Sequence, residues 1–384
     1  MKERLVIIGA NDFQNQLILK AKDMGYETHV FAWQCGDVGE KTADHFYPIS
    51  IVEKEQILEV CRQIQPVGIV SIASDLASIT VNYVAEQLGL VGNGSKSAEI
   101  STNKHLMRQV FEANGLPSPK SALVEPGKLD SLPDFQYPVI VKPTDRSGSR
   151  GIFKVESPQQ LSGAIARAQE QSFEGKVLVE EYAQGNEYSI EYISWQGEHT
   201  FLAMTKKYTT EAPYFIETGH IQPAYDVSPE VLAKIKALVP RILDALGVRY
   251  GASHTEVKID RNGEIKIIET GARMGGDCIG SDLVYLSTGY DFVKMVIDVA
   301  CGKAPELKRE HSEACAGIRF IFSKDDLDQL DWVQREHGGL LRRISQIDTI
   351  DDRTIGDSSS RYGYYLMSSE RAQDIIEIME KVNG

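Results

Sequence analysis

A chain of 384 residues, 42% hydrophobic and 25% charged, can fold as two or three domains around a sizeable core. Its 41 basic against 55 acidic residues leave a formal charge of −14, which argues against nucleic acid or an anionic membrane as partner but not against a nucleotide in a local basic site. The five cysteines, Cys35, Cys61, Cys278, Cys301 and Cys315, form no CxxC pair, which fits a reducing compartment and neither a disulfide framework nor a cysteine zinc site. The opening apolar run, residues 5–8, is too short for a signal peptide, and no run approaches the roughly 20 residues of a membrane span. A soluble, cytoplasmic protein is expected.

Residues 5–8, 27–31 and 67–72 read as buried strands, separated or followed by amphipathic helices at 13–24, 53–64 and 77–88. That alternation predicts a parallel, doubly wound sheet and hence a Rossmann-like N-terminal domain over 1–97. Crevices at the carboxyl ends of such strands point to Gly9–Asp12, Trp33 and Ser74–Asp75. Gly9-Ala10-Asn11-Asp12 is not a GxGxxG, so no dinucleotide site is read there, and turn chemistry explains it equally well. A connecting helix is expected within 98–119. It contains Asn103-Lys104 and stops at Asn114-Gly115, before Pro117 and Pro119.

Residues 120–185 read as an α+β unit with strands at 121–124, 138–142, 151–155 and 177–180 and a helix at 158–171. The second strand delivers Lys142 into a loop, Ser147-Gly148-Ser149-Arg150-Gly151, whose backbone N–H groups and hydroxyls can approach phosphate oxygens. No helix begins immediately after it, so it is not a P-loop, and a flexible connection is the competing reading. Glu180-Glu181-Tyr182-Ala183 runs into a linker whose free backbone groups suit the edge of adenine, and Glu187 suits ribose hydroxyls; most such strand ends are simply solvated.

Residues 186–300 open with antiparallel-looking strands and a helix at 229–246, then reach two β-rich runs flanking Asn262-Gly263, a strong hairpin signal. A two-residue turn there sets Arg261 against Glu264 and, counting back, Glu256 directly against Glu269. Facing carboxylates repel, and a cation between them is the simplest remedy. Oxygen ligation by one or two carboxylates is how Mg²⁺ is usually held, whereas solvation on an exposed face is the bland alternative. A three-residue loop with a bulge at Gly263 would change the register. Arg273, four residues past Glu269, could meet a phosphoryl group or an oxyanion, and Gly275-Gly276 permit close backbone approach. A helix is read over 282–300. In 301–384 only strands near 316–322 and 363–367 and a final helix at 369–381 are legible, with 356–361 as a mobile surface loop.

These pieces occur in an order that resembles the ATP-grasp superfamily, over roughly residues 5–300. The stretches Gly219-His220-Ile221-Gln222-Pro223-Ala224, Gly251-Ala252-Ser253-His254-Thr255-Glu256 and Arg273-Met274-Gly275-Gly276-Asp277 are similar to its carboxylate–amine ligase group, which is related to biotin carboxylase, carbamoyl phosphate synthase and bacterial L-amino acid ligases. The resemblance implies an α/β fold with an N-terminal Rossmann-like domain (1–97), a connecting helix (98–119), a mobile lid (120–185), a catalytic core with an antiparallel sheet (186–300) and a C-terminal subdomain (301–384). It assigns Lys104 and Lys142 to ATP phosphates, the Ser147, Gly148, Ser149 and Gly151 loop to phosphate cover, and Glu180, Glu181 and Ala183 to adenine. It places Glu187 on ribose, Glu256 and Glu269 on Mg²⁺ (or Mn²⁺), and Arg273 on the acyl phosphate, with Lys207 as a further phosphate ligand. Arg273, Glu269 and Lys142 are then the expected catalytic residues. His220, His254, Gly275 and Gly276 are candidate substrate contacts. Family members commonly read Glu-x-Asn-x-Arg where this chain has Glu269-Thr270-Gly271-Ala272-Arg273, so one metal ligand of the family is missing.

The implied chemistry is phosphoryl transfer from ATP to a small-molecule carboxylate, followed by amine attack on the acyl phosphate, with amino acids among the candidate substrates. Two other readings stand beside it: a carboxylase that activates bicarbonate, and a non-catalytic nucleotide-binding protein. Residues 301–384 either complete the acceptor pocket or form a homodimer interface.

Overall fold

The computed structural model describes residues 2–128, 132–210, 215–351 and 355–383. Among these residues the strands fall into three sheets that follow one another along the chain. The first comprises β1 (Arg4–Ile8), β2 (Glu27–Phe31), β3 (His45–Tyr47) and β4 (Gly68–Val70), all parallel, in the order β3-β2-β1-β4. Its central strand is almost continuously apolar because helices cover both faces, and Leu5 to Ile8 are fully buried. Asn11 caps helix Asp12–Asp23, and Ser74 caps helix Asp75–Leu88, so both helices start at the carboxyl ends of strands.

The second sheet contains β5 (Ser121–Val124), β6 (Val139–Pro143), β7 (Phe153–Val155) and β8 (Val177–Glu181), antiparallel in the order β5-β8-β6-β7. Helix Pro158–Gln171 lays Ala164, Ile165 and Ala168 on it. The third sheet holds β9 (Asn186–Trp195), β10 (Glu198–Thr209), β11 (Glu217–Gln222), β12 (Gly251–Ile259), β13 (Ile265–Gly271), β14 (Cys315–Ile321), β15 (Leu341–Ile344) and β16 (Gly363–Ser369). Their order is β13-β12-β9-β10-β11-β14-β16-β15. The C-terminal strands thus complete the sheet begun at residue 186, with β14 inserted between β11 and β16. One core cluster unites Leu5, Ile7 and Val30 with Ile193, Ala252 and helix Phe292–Ala300, which fixes the first sheet against the third.

Two helices read as single are broken. The segment read as one helix at 98–114 divides into Gly94–Thr102 and Lys104–Ala113, because Asn103 is extended (φ −107°, ψ 112°) and caps the second through the N–H groups of His105 and Leu106. The segment read at 282–300 divides at Gly289, whose φ is +77°. Strands β3, β11 and β15 and helix Lys324–His337 were not legible. Among the described residues no helix is long and apolar enough to cross a membrane.

Candidate active site

The β12–β13 hairpin differs from the two-residue turn read in the sequence, yet Glu256 does face Glu269. Near the turn, Ile259 pairs with Ile265, Lys258 with Lys266 and Val257 with Ile267, one residue out of the expected register. The loop is three residues long: the Asp260 N–H donates to the Glu264 carbonyl at 3.1 Å, and Gly263 takes φ +77°. A second irregularity between Glu256 and Val257 leaves Ile268 over and restores the expected pairing from Glu256 to His254. Two opposite shifts cancel before the site is reached.

The facing carboxylates are not left without cations. The Lys104 ammonium lies 3.0 and 3.1 Å from the two oxygens of Glu269 and donates at 2.8 Å to the Arg146 carbonyl in the Gly/Ser loop. The Lys207 ammonium sits among three carboxylates, 2.7 Å from Glu187, 2.9 Å from Glu256 and 3.4 Å from Glu217. Burial disfavours the Lys207 charge, but those carboxylates outweigh it and hold Lys207 well above the usual ammonium range. Burial also opposes ionisation of Glu269, and Lys104 overcomes it. For Glu256, burial together with the charges of Glu187 and Glu269 prevails over Lys207 and pushes the carboxyl up to about 7.

A divalent cation held between these carboxylates would have to displace the proton from Glu256, so Mg²⁺ affinity there is expected to fall about tenfold per pH unit below pH about 7 and to level off above it. Calorimetric Mg²⁺ titrations at pH 6 and 8 check this; equal affinities at both would remove the proton competition.

Lys142 and Glu180 are both buried and 2.5 Å apart. Arg108 also engages Glu180, Nε at 3.1 Å and Nη2 at 2.9 Å, and its Nη2 donates at 2.7 Å to the carbonyl of the bulged Ile268. Burial opposes the Glu180 charge but Arg108 and Lys142 prevail, whereas burial and the neighbouring Arg108 and Lys104 lower Lys142 despite Glu180. The Glu180 side chain therefore braces Lys142. Tyr182 and Ala183 line the adjoining cleft, together with Lys104, Ser147 to Arg150, Glu187 and Arg273. Glu181 is not part of that lining. Gly151 lies just beyond, with φ +71°.

Arg273 spans two units of the fold. Its Nε and Nη2 donate to the two oxygens of Asp75 at 2.8 and 3.0 Å, a fork-to-fork pair between the third sheet and the first helix residue after β4. Burial opposes ionisation of Asp75, but the guanidinium outweighs it and holds the carboxyl at about 2.

His254 faces Gly271 across the hairpin. A Cβ at position 271 would lie 2.2 Å from His254 Cε1 and 2.9 Å from its Nδ1, so the imidazole fills the space that a side chain at 271 would enter. Its Nδ1–H donates to the Arg273 carbonyl at 3.1 Å, which leaves Nε2 unprotonated. Burial and the Arg273 charge lower His254 to about 4, so the ring is neutral. Gly271 is thus the steric counterpart of this histidine. Gly271→Ala is expected to displace the ring, cost about 1–3 kcal/mol of stability and depress turnover; thermal melts and phosphate release measure both.

A second cavity adjoins the cleft, lined by Ser189, His220, Gly275, Gly276 and Asp277. His220 is fully buried, its Nε2 3.6 Å from Asp277, and burial holds it below the usual imidazole range. Asp277 forms a second fork with Arg361, at 2.7 and 2.9 Å. Arg361 and Ser358 belong to the segment read as a mobile surface loop, and the segment also reaches the site: Ser358 donates to Glu217 at 3.1 Å, and Asp357 lies 3.5 Å from Arg150 of the Gly/Ser loop. Glu191, fully buried beneath Gly275 and accepting its N–H at 3.1 Å, is pushed by burial to about 7. Arg108, Glu191, Glu217 and Arg361 carry no local sequence signal; Asp75 sits in a crevice position the strand pattern does mark.

Residues 135–282 match the family model of the ATP-grasp domain. The chain carries an ATP-grasp domain. The matched stretch of this ATP-grasp domain holds Lys142, Glu180, Lys207, Glu256, Glu269 and Arg273, while Lys104 lines the cleft from outside it and Asp75 and Arg361 come from outside it to pair with Arg273 and Asp277. Alanine–anticapsin ligase of Bacillus subtilis is 29% identical over 254 residues, 58% of this chain and 52% of the relative. D-alanine–D-alanine ligase of Haemophilus ducreyi is 29% identical over 199 residues, 50% of this chain and 64% of the relative. The matches span less than two thirds of the length of either relative. The crystal structure of L-amino acid ligase from Bacillus licheniformis aligns with a TM-score of 0.83 over 100% of this chain and 97% of that one, at 23% identity. The ATP-grasp fold therefore extends over the whole chain.

Proposed function

We propose that this ATP-grasp protein is an ATP- and Mg²⁺-dependent ligase that activates a small-molecule carboxylate as an acyl phosphate and joins it to an amine, with amino acids as substrates. The observation that supports this most is one cleft in which Lys104, Lys142, the facing Glu256 and Glu269, and Arg273 converge. It shares His254, Glu256 and Arg273 with the second cavity, which offers room for a carboxylate and an amine beside the phosphates. The names of the relatives, which join amino acids or related compounds, point the same way.

The residues fit a divalent cation. Lys207 is shared by Glu187, Glu217 and Glu256, Lys104 pairs with Glu269, and burial together with the charges of Glu187 and Glu269 drives Glu256 toward protonation, a state that a divalent cation would relieve. Glu256 and Glu269 would hold Mg²⁺, which when bound neutralises phosphate charge. Lys142, fixed by Glu180, supplies a point charge to the phosphates. The Ser147–Arg150 segment covers them and excludes the water that would hydrolyse an acyl phosphate. Arg273 presents its guanidinium to the carboxylate as that anion accepts the phosphoryl group. In the second step the amine forms the C–N bond, the acyl C–O bond breaks, and phosphate leaves with the electron pair. His254 lines this space with Nε2 unprotonated, an acceptor.

Phosphate release across pairs of candidate acids and amines tests the reading. Release that requires both an amino acid and an amine, with a ligated product by mass, is expected. ADP formation driven by bicarbonate without any amine assigns a carboxylase instead, and tight ATP binding with no turnover assigns a binding protein.

A further inference from the structure

A second constellation lies at the opposite, amino-terminal end of the parallel sheet. Glu27 and His29 are two residues apart on β2 and share a face, and His29 pairs with His45 on the edge strand β3. The two imidazoles stack at 4.5 Å with an interplanar angle of 17°. Both Nε2 atoms turn toward the same Glu27 oxygen, at 2.7 Å from His45 and 3.6 Å from His29, and donor atoms of the three side chains all lie within 4.8 Å of one another.

His29 is only 5% exposed, and its Nε2 has no hydrogen-bond partner. Leaving a buried ring nitrogen unsatisfied is unusual and asks for an explanation. Its Nδ1 lies 3.0 Å from the Tyr47 hydroxyl. With the Nδ1 proton donated there, Nε2 offers a lone pair, the outer-partner arrangement typical of metal-binding histidines. Burial and the neighbouring His45 hold His29 below the usual imidazole range, so the ring is neutral, the form that ligates. The other charges that act on His29 are engaged elsewhere: Arg4 donates to the Ile64 carbonyl at 2.7 Å, and Asp44 pairs with Lys22 at 3.0 Å.

We propose that Glu27, His29 and His45 form a site for a divalent transition metal of the Zn²⁺ class, separate from the ATP cleft, which staples the edge strand β3 to β2. Two imidazole nitrogens and one carboxylate oxygen make a three-ligand zinc set, with water on the side of the exposed His45. Tetrahedral Zn²⁺ with bonds of about 2.0–2.1 Å needs donors about 3.3 Å apart, a value between the 2.7 and 3.6 Å that separate the two Nε2 atoms from the Glu27 oxygen. Strand β3 has only three residues and pairs on one side, so a metal bridge adds the tie that a short edge strand lacks.

The test is calorimetric titration of Zn²⁺ into the full chain, with excess Mg²⁺ occupying the carboxylates of the cleft. The wild type is expected to bind one Zn²⁺ more than His29→Ala/His45→Ala, to gain thermal stability on binding it, and to show with Co²⁺ the d–d bands of nitrogen and oxygen ligation. Glu27→Gln and the surface variant His45→Asn, which keeps the buried ring in place, are expected to weaken that site at least tenfold. ATP-dependent phosphate release should be unchanged in these variants. Absence of Zn²⁺ binding, equal stoichiometry in wild type and double variant, or undiminished affinity in a folded His45→Asn protein each overturns the proposal.

Discussion

Glu269→Gln is expected to lower ATP turnover at least a hundredfold, about 2.7 kcal/mol of barrier, while the far-UV circular dichroism stays that of the wild type. Glu269 does two things at once. It faces Glu256 across the hairpin, where a divalent cation would be held, and its two oxygens balance the buried ammonium of Lys104. Glutamine keeps the shape and removes the charge, so the variant loses a metal ligand and leaves Lys104 to the more distant Asp75 and Glu256. Breaking a buried pair costs stability as well, about 3–5 kcal/mol when nothing else compensates, so melting curves must accompany the kinetics. A folded variant that forms ADP at a near-normal rate would remove the metal role. Weakened Mg²⁺ binding in the same protein, measured without turnover, separates loss of the ligand from loss of the fold.

The second large effect is expected at Arg273. Arg273→Lys should lower kcat/KM at least a hundredfold although the charge is retained, because an ammonium cannot reproduce the fork that grips both oxygens of Asp75 and still present N–H groups to the reacting carboxylate. Asp75→Asn leaves Arg273 intact and only loosens it, so a smaller loss, on the order of tenfold, is expected there. Equal losses in the two variants would make the pair structural, and wild-type kinetics for Arg273→Lys would dismiss the fork altogether. The pair also carries a pH signature. The Asp75 carboxyl titrates near 3.8 when free and at about 2 in the fold, so its contribution to stability is complete above about pH 4 and is lost as pH falls toward 2.

What could be read from the residues divides by range. Elements with strong periodicity were legible: the parallel strands β1, β2 and β4, helix Pro158–Gln171 and helix Pro229–Ala245 stand within a residue or two of their expected places. The placing of Glu256 opposite Glu269 was also legible, though through a turn that is not the one formed. A bulge at Ile268 has no signature of its own, since its side chain is ordinary and only the backbone pairing reveals it. Asn103 looked like an interior helix residue, and only its capping geometry shows that it ends one helix and starts another at Lys104. Partners of the charged residues lay beyond reach for a different reason. Arg361 meets Asp277, and Arg273 meets Asp75, across separations of 84 and 198 residues, and no local pattern encodes such meetings. The lysines were assigned to phosphates through the resemblance, and the carboxylates that match each of them across the fold have no signal in composition.

Arg108 ties the second sheet to the third. One guanidinium grips Glu180 at the end of β8 and the carbonyl released by the bulge at Ile268. The unit read in the sequence as a lid is therefore tied at its root to the large sheet, and Lys142, which shares Glu180 with Arg108, is held by the same anchor. The irregularity in the hairpin supplies the acceptor for that tie.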